Sequence, residues 1–247
     1  MKPTHKHQLY DEDDSTTSDQ SLFPPDPDKL GWVPRLTMFD LWSDDEAIVF
    51  EAIRELADIA DTDEQSYCDR QLIHEAGGHF SIISAMNKWY DNREVTVDGL
   101  RALANLGANT PFRDASVAFG GMEVTLLAMI NYPECCYVQR NACAAICRLC
   151  LDSKPNAAHF VGELGGLPLL FGAMQSFPDH IKLQKWALLT LYDFTAIEQL
   201  RLPIVKCGGV KALTRFMTKF QGEPPVSLSC SLSRCFVVLA RFFSLHL

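Results

Sequence analysis

The chain has 247 residues, 47% hydrophobic and 21% charged, which is enough to bury a substantial core. Its net charge of −9, with only 22 basic residues, argues against general nucleic-acid or anionic-membrane binding, both of which need a concentrated basic surface. Nine cysteines in a clustered, odd-numbered set, with no N-x-[ST] acceptor, point to a reducing compartment rather than a disulfide framework.

The first residues, MKPTHKHQLYDEDD, contain no apolar run of the kind a secretory leader needs. DEDDSTTSDQS is acidic and polar and FPPDPDK is proline-rich, so residues 1–30 are predicted to be a disordered tail. Ser15, Thr16, Thr17 and Ser18 beside carboxylates are candidates for phosphorylation. An acidic tail of this kind could also compete with partners for basic residues of the folded part.

A helical pattern begins with VFEAIRELADIA (Val49–Ala60). LIHEAGGHF (Leu72–Phe80) then resembles a damaged zinc-protease signature. His74 and His79 are, however, five residues apart, about 140° around a helix, with two glycines between them. The Gly-Gly pair is the more informative feature. It recurs at Gly77-Gly78, Gly120-Gly121, Gly165-Gly166 and Gly208-Gly209, at separations of 43, 45 and 43 residues.

A fixed pattern follows each pair. Met86, Met129, Met174 and Met217 lie eight residues after the second glycine, and Trp89, Tyr132, Phe177 and Phe220 three residues further on. Methionine and ring share a helix face at that spacing, as core packing between repeats requires. In the columns of His74 and His79 the other copies place Val117, Gly162, Val205 and Met122, Leu167, Val210. Both histidines are therefore read as structural rather than metal-binding.

A third segment repeats in phase: VTVDGLRALANL (Val95–Leu106), VQRNACAAICRL (Val138–Leu149) and LQKWALLTLYDF (Leu183–Phe194). Small residues (Gly99, Ala142, Ala187) hold one helix-contact position. Short segments ending at each Gly-Gly complete a unit of short helix, second helix and longer third helix, and no segment alternates as a strand would. Cys143-x-x-x-Cys147-x-x-Cys150 has the spacing of the iron–sulfur motif of radical S-adenosylmethionine enzymes. These cysteines align with Leu100, Ala104 and Gly107 inside a helix, and the barrel of those enzymes needs strands. They are read as small buried hydrophobes. Cys135-Cys136 lacks paired C-x-x-C spacing, and His159 and His180 have no carboxylate or cysteine that the sequence can place beside them.

A degenerate copy, SRCFVVLARFFS (Ser233–Ser244), closes the pattern after Pro224-Pro225. Arg234 and Arg241 interrupt it too often for a membrane span, so C-terminal tethering is the lesser reading. Its exposed Phe236, Val237, Leu239, Phe242 and Phe243 imply either a docked partner or further sequence. The chain is thus divided into the tail (1–30) and a repeat domain (31–247): a partial copy (44–76), repeats from about 77–119, 120–164 and 165–207, and a degenerate repeat (208–247).

Three-helix units of this length, with Gly-Gly entering the second helix and V-Q-x-x-A-x-x-x-L in the third, resemble armadillo repeats. VQRNACAAICRL and GLRALANLGA are the best copies. The resemblance implies an all-α fold, a right-handed α-solenoid whose third helices line a concave groove for extended peptides or partner proteins. Members that read nuclear-localisation signals carry Trp and Asn one turn apart on successive third helices. Here those positions are Arg101 and Asn105, Ala144 and Arg148, Leu189 and Asp193, so only Asn105 matches and importin-α-like recognition is not expected.

The stripe as it stands suggests a groove for a polar, partly acidic protein segment, built from Arg54, Asp98, Arg101, Asn105, Asn141, Arg148, Trp186 and Asp193. Catalytic, cofactor and metal residues are not expected. The expected role is a protein–protein interaction scaffold, monomeric or within a hetero-complex, in the eukaryotic cytoplasm or nucleus. A transport adaptor or the regulatory subunit of another enzyme is the alternative, ahead of a metal-dependent enzyme.

Overall fold

The computed structural model describes residues 40–60 and 65–219, together with Val237. The expected tail over 1–30, Phe220 and, apart from Val237, the C-terminal copy Ser233–Ser244 lie outside the described residues. Within them every regular element is helical. In chain order these are α1 (Glu46–Ile59), α2 (Gln65–Glu75), α3 (Gly78–Lys88), α4 (Arg93–Leu106), α5 (Thr110–Ala118) and α6 (Gly121–Asn131). They continue as α7 (Cys136–Cys150), α8 (Lys154–Ala158) running into a π turn (His159–Glu163), α9 (Leu167–Ser176), α10 (Ile181–Ala196), α11 (Glu198–Lys206) and α12 (Gly209–Lys219).

The two glycines of each pair serve different ends. Gly77, Gly120, Gly165 and Gly208 have φ of 77°, 87°, 60° and 91°, a conformation in which an L side chain is strained. The second glycine lets the next helix leave close against the one before. A Cβ on Gly78 would meet the Ile73 carbonyl oxygen at 2.7 Å, one on Gly121 that of Ser116 at 2.7 Å, and one on Gly209 that of Ile204 at 2.8 Å. On Gly166 it would run into the Phe160 ring.

The third helices α1, α4, α7 and α10 stack side by side, and α3, α6, α9 and α12 form a second, looser layer. Small side chains set that difference. Gly99 lies so close to α1 that a Cβ would sit 3.0 Å from Ile53 Cδ1, while Ala142 and Ala187 are fully buried in the same column. Because the third-helix layer is the tighter, the stack curves toward it, and the third helices line the inner face.

Met86, Met129 and Met174 are 2%, 2% and 5% exposed, in line with the core role expected of their column. Met217 departs from it at 39% exposure. Met86 is covered by the α4 of its own unit; the equivalent cover for Met217 would have to come from beyond residue 219, outside the described residues.

One device ties second helix to third. Trp89, Tyr132 and Phe177 cap α3, α6 and α9, each N–H donating to an alanine carbonyl (Ala85, Ala128, Ala173) at 2.9–3.1 Å. In two units a buried glutamine then clamps the end. Gln139 Nε2 donates to the Met129 and Tyr132 carbonyls at 2.9 and 3.1 Å, and Gln184 Nε2 to those of Met174 and Phe177 at 2.8 and 3.0 Å. The first unit has Thr96 at this position, whose hydroxyl donates to the Asn92 carbonyl instead. Replacing Gln184 by Leu removes two donors from a buried site; the urea midpoint is expected to fall by the equivalent of ~1–3 kcal/mol.

Candidate partner-binding groove

The inner face separates into two halves of different character. Across α1 and α4 the charges are already spent on one another. Arg101 pairs with Asp98 at 3.0 Å and with Asp58 of the neighbouring helix, and its guanidinium also reaches the Arg54 carbonyl. Arg54 pairs with Glu51 at 3.3 Å and approaches Asp98 at 4.0 Å. Burial works against the charge on Arg101, but Asp58 and Asp98 outweigh it and hold the guanidinium firmly protonated. Arg54 and Arg101, expected from sequence to grip a partner's carboxylates, are thus committed to carboxylates of the chain itself.

Asn105 and Asn141 are likewise turned inward. Asn105 Nδ2 donates to the Ala57 carbonyl at 3.1 Å, and Asn141 Nδ2 to the Val97 carbonyl at 2.8 Å, each on the preceding third helix. These bonds fix the register of neighbouring units. Asp193 is half-buried on α10, and burial, with the Asp152 charge nearby, raises its carboxyl above the usual range.

The second half, over α7 and α10, is open. Arg148 lies over the Trp186 ring at 5.3 Å and Lys185 at 5.9 Å, so the indole sits within reach of two cations. Arg148 has no ion pair among the described residues. Tyr137 and Ile181, at the starts of these helices, are 58% and 51% exposed. Sequence reading did not select Tyr137 or Lys185, although Lys185 adjoins the expected Trp186. Between the starts of α1, α4 and α7 runs a furrow of about 250 Å³, with Phe50 and Val97 beside Arg54, Asp98 and Tyr137.

The other candidates resolve into packing. His74 and His79 stand 5.6 Å apart, ring to ring, with Phe112 edge-on to both and Phe119 at 5.1 Å from His79. Burial, helped by His74, lowers His79 to about 4, so this ring is neutral at physiological pH. Cys143, Cys147 and Cys150 point into the core from α7; burial pushes the Cys143 thiol up to about 12 and Cys147 to about 11, and raises Cys150 also. Thiols so held stay protonated.

His159 corrects the sequence reading. It does have carboxylate partners: Glu163 at 3.0 Å, one turn on, and Glu123 at 3.3 Å from α6. Burial lowers its pKa, but the two carboxylates outweigh that and raise it. His180 caps α10, its Nδ1 accepting the Leu183 N–H at 3.1 Å.

Among the described residues no single helix is long and apolar enough to cross a membrane. The apolar pair Lys154–Glu163 and Leu167–Ser176 is bent by 83° and buries Phe160 and Leu170 in the core.

No protein-family model matches the chain, and no curated protein does. Solved structures do. An engineered protein superposes with a TM-score of 0.68 at 23% identity over 83% of this chain, which spans about half (48%) of that protein's length. Computationally designed armadillo repeat proteins for modular peptide recognition match with a TM-score of 0.65 at 18% identity, over 83% of this chain and 82% of theirs. A designed armadillo repeat protein in complex with the peptide (KR)4 gives 0.63 at 17% identity, over the same shares, 83% and 82%. The all-α stack is therefore a solenoid of armadillo type.

Proposed function

We propose that this armadillo-type solenoid is a non-catalytic scaffold holding an extended protein segment along its third helices, in the eukaryotic cytoplasm or nucleus. The observation that carries the reading is Trp186 flanked by Arg148 and Lys185 on the open half of the inner face. A ring of that size contributes area at little entropic cost, and neighbouring cations select carboxylates. The segment's acidic part is assigned to this half. Support comes from the neighbours of the same fold, one of which holds a peptide.

Crosslinking and mass spectrometry on the native cell would identify the partner and locate its contacts. Arg148→Glu with Trp186→Ala is then expected to weaken that partner at least about tenfold, with the helical CD spectrum unchanged. Undiminished affinity, or crosslinks confined to the opposite layer, would overturn the reading. Arg101→Glu is the contrasting variant: it sets a carboxylate against Asp58 and Asp98, so its primary effect is on stability. The same surface would serve a transport adaptor or a regulatory subunit; whether the crosslinked partner is a cargo or an enzyme decides between them.

A further inference from the structure

The joints between successive second helices are built from equivalent residues, yet they are not equally closed. The joint between α3 and α6 leaves about 10 Å³, lined by Met86, Tyr90 and Thr96 on one side and Val124, Leu127, Ala128 and Asn131 on the other. The joint between α9 and α12 leaves about 250 Å³. Counted from each Gly-Gly, its lining falls at the same positions: Tyr90 becomes Pro178, Val124 becomes Ala212, Leu127 becomes Arg215 and Asn131 becomes Lys219. Tyr90 and Val124 give way to smaller side chains, Thr96 and Ala128 to larger ones (Gln184 and Phe216), and two uncharged groups to cations.

The result is a slot with an apolar floor, Met174, Ala212 and Phe216, and a cationic rim. The rim extends along α12, where Lys211, Arg215 and Lys219 recur every fourth residue beside a second cleft. Residues 201–219 hold five basic side chains and no acidic one, in a chain whose net charge is −9. Lys219 already holds the Asp179 carboxylate, while Lys211 and Arg215 have no ion pair among the described residues.

We infer that this last joint is a second binding site, which takes an acidic segment of a partner protein anchored by one apolar side chain. Charge complementarity selects carboxylates, and the buried apolar floor favours a peptide over a nucleic-acid backbone, which needs cations but no such floor.

The test uses the full chain and a fluorescein-labelled synthetic peptide in which Glu and Asp flank a Leu-Phe pair. Fluorescence anisotropy should show saturable binding. The Lys-for-acid version and the version with Ala in place of Leu-Phe should each bind at least about tenfold more weakly. Ala212→Val with Pro178→Tyr, which restores two bulkier side chains of the closed first joint, should weaken the acidic peptide about tenfold, and so should Lys211→Glu with Arg215→Glu, both surface positions. Saturable binding should persist in Arg148→Glu with Trp186→Ala, which disables the acidic half of the groove, separating this site from it.

Absence of binding, equal binding by the refilled joint, or complete loss in Arg148→Glu with Trp186→Ala would overturn the inference. So would tighter binding of a short oligothymidylate than of the acidic peptide. A concentration-dependent dimer in sedimentation that Lys211→Glu with Arg215→Glu dissolves would give the slot to a second copy. A gain in affinity on removing residues 1–30 would give it to the chain's own acidic stretch. Either result overturns the partner assignment.

Discussion

Gly121→Ala should destabilise the protein by ~2 kcal/mol, while Gly172→Ala, the same change on another helix, should stabilise it by up to ~1 kcal/mol. Both residues are helical, so propensity favours alanine at each. The surroundings reverse the sign at the first. A Cβ on Gly121 would meet the Ser116 carbonyl oxygen at 2.7 Å and its carbon at 3.2 Å, and backbone at the end of a helix cannot swing aside as a side-chain tip would. Relief requires α5 and α6 to separate, which loosens the packing of Ile83, 3.4 Å from the same point. Around Gly172 nothing lies within 4 Å, and the residue is exposed. Urea unfolding followed by helical CD gives both numbers. Equal shifts in the two variants would show that the Gly-Gly joint is not held by close approach.

The second large effect is on acid stability. The folded protein depresses the pKa of His79 from its ordinary 6.5 to about 4, chiefly by burial. Between those values the unfolded chain carries a proton on this residue and the folded chain does not. Unfolding is therefore favoured as pH falls, and stability is lost progressively from about 6.5 down to about 4. The full depression corresponds to about 3 kcal/mol, and since solvent reaches part of the ring, ~2 kcal/mol is the expected loss.

His79→Met should flatten this limb. Methionine is the residue at the same position of the next unit, where Met122 is fully buried. At pH 7 the variant should be no less stable than the wild type, because His79 Nδ1 is buried with no hydrogen-bond partner. The check is the denaturation midpoint of both proteins at intervals from pH 4 to pH 7.5. Parallel curves would place the acid sensitivity elsewhere.

Features that depend on local backbone or on the next unit's packing were legible from sequence. A positive φ demands glycine wherever it recurs, and a face buried against its neighbour keeps its methionine and ring in phase. The same logic read Cys143, Cys147 and Cys150 as core, because their columns hold Leu100 and Ala104 elsewhere. Features that depend on side-chain direction across units were not. Arg54 and Arg101 stand on the face that the period assigns them, but Asp58 lies 43 residues from Arg101 and no pattern announces their pairing. Asn105 and Asn141 fall on the stripe yet turn to carbonyls of the preceding helix. His159 found Glu123 across 36 residues. Met217 follows its column in sequence but not in burial, since burial requires a covering element as well as a position. The V-Q and L-Q pairs were visible as pattern, and only coordinates revealed that the glutamine bridges two carbonyls.

The distribution of that glutamine grades the stiffness of the stack. Gln139 and Gln184 fasten second helix to third in the middle and late units, whereas Thr96 leaves the corresponding seam of the earlier unit unsewn. Amide protons of α7 and α10 should then exchange with solvent more slowly than those of α4, and under mechanical pull the molecule should yield first at its amino-terminal coil, like a spring soldered along only part of its length.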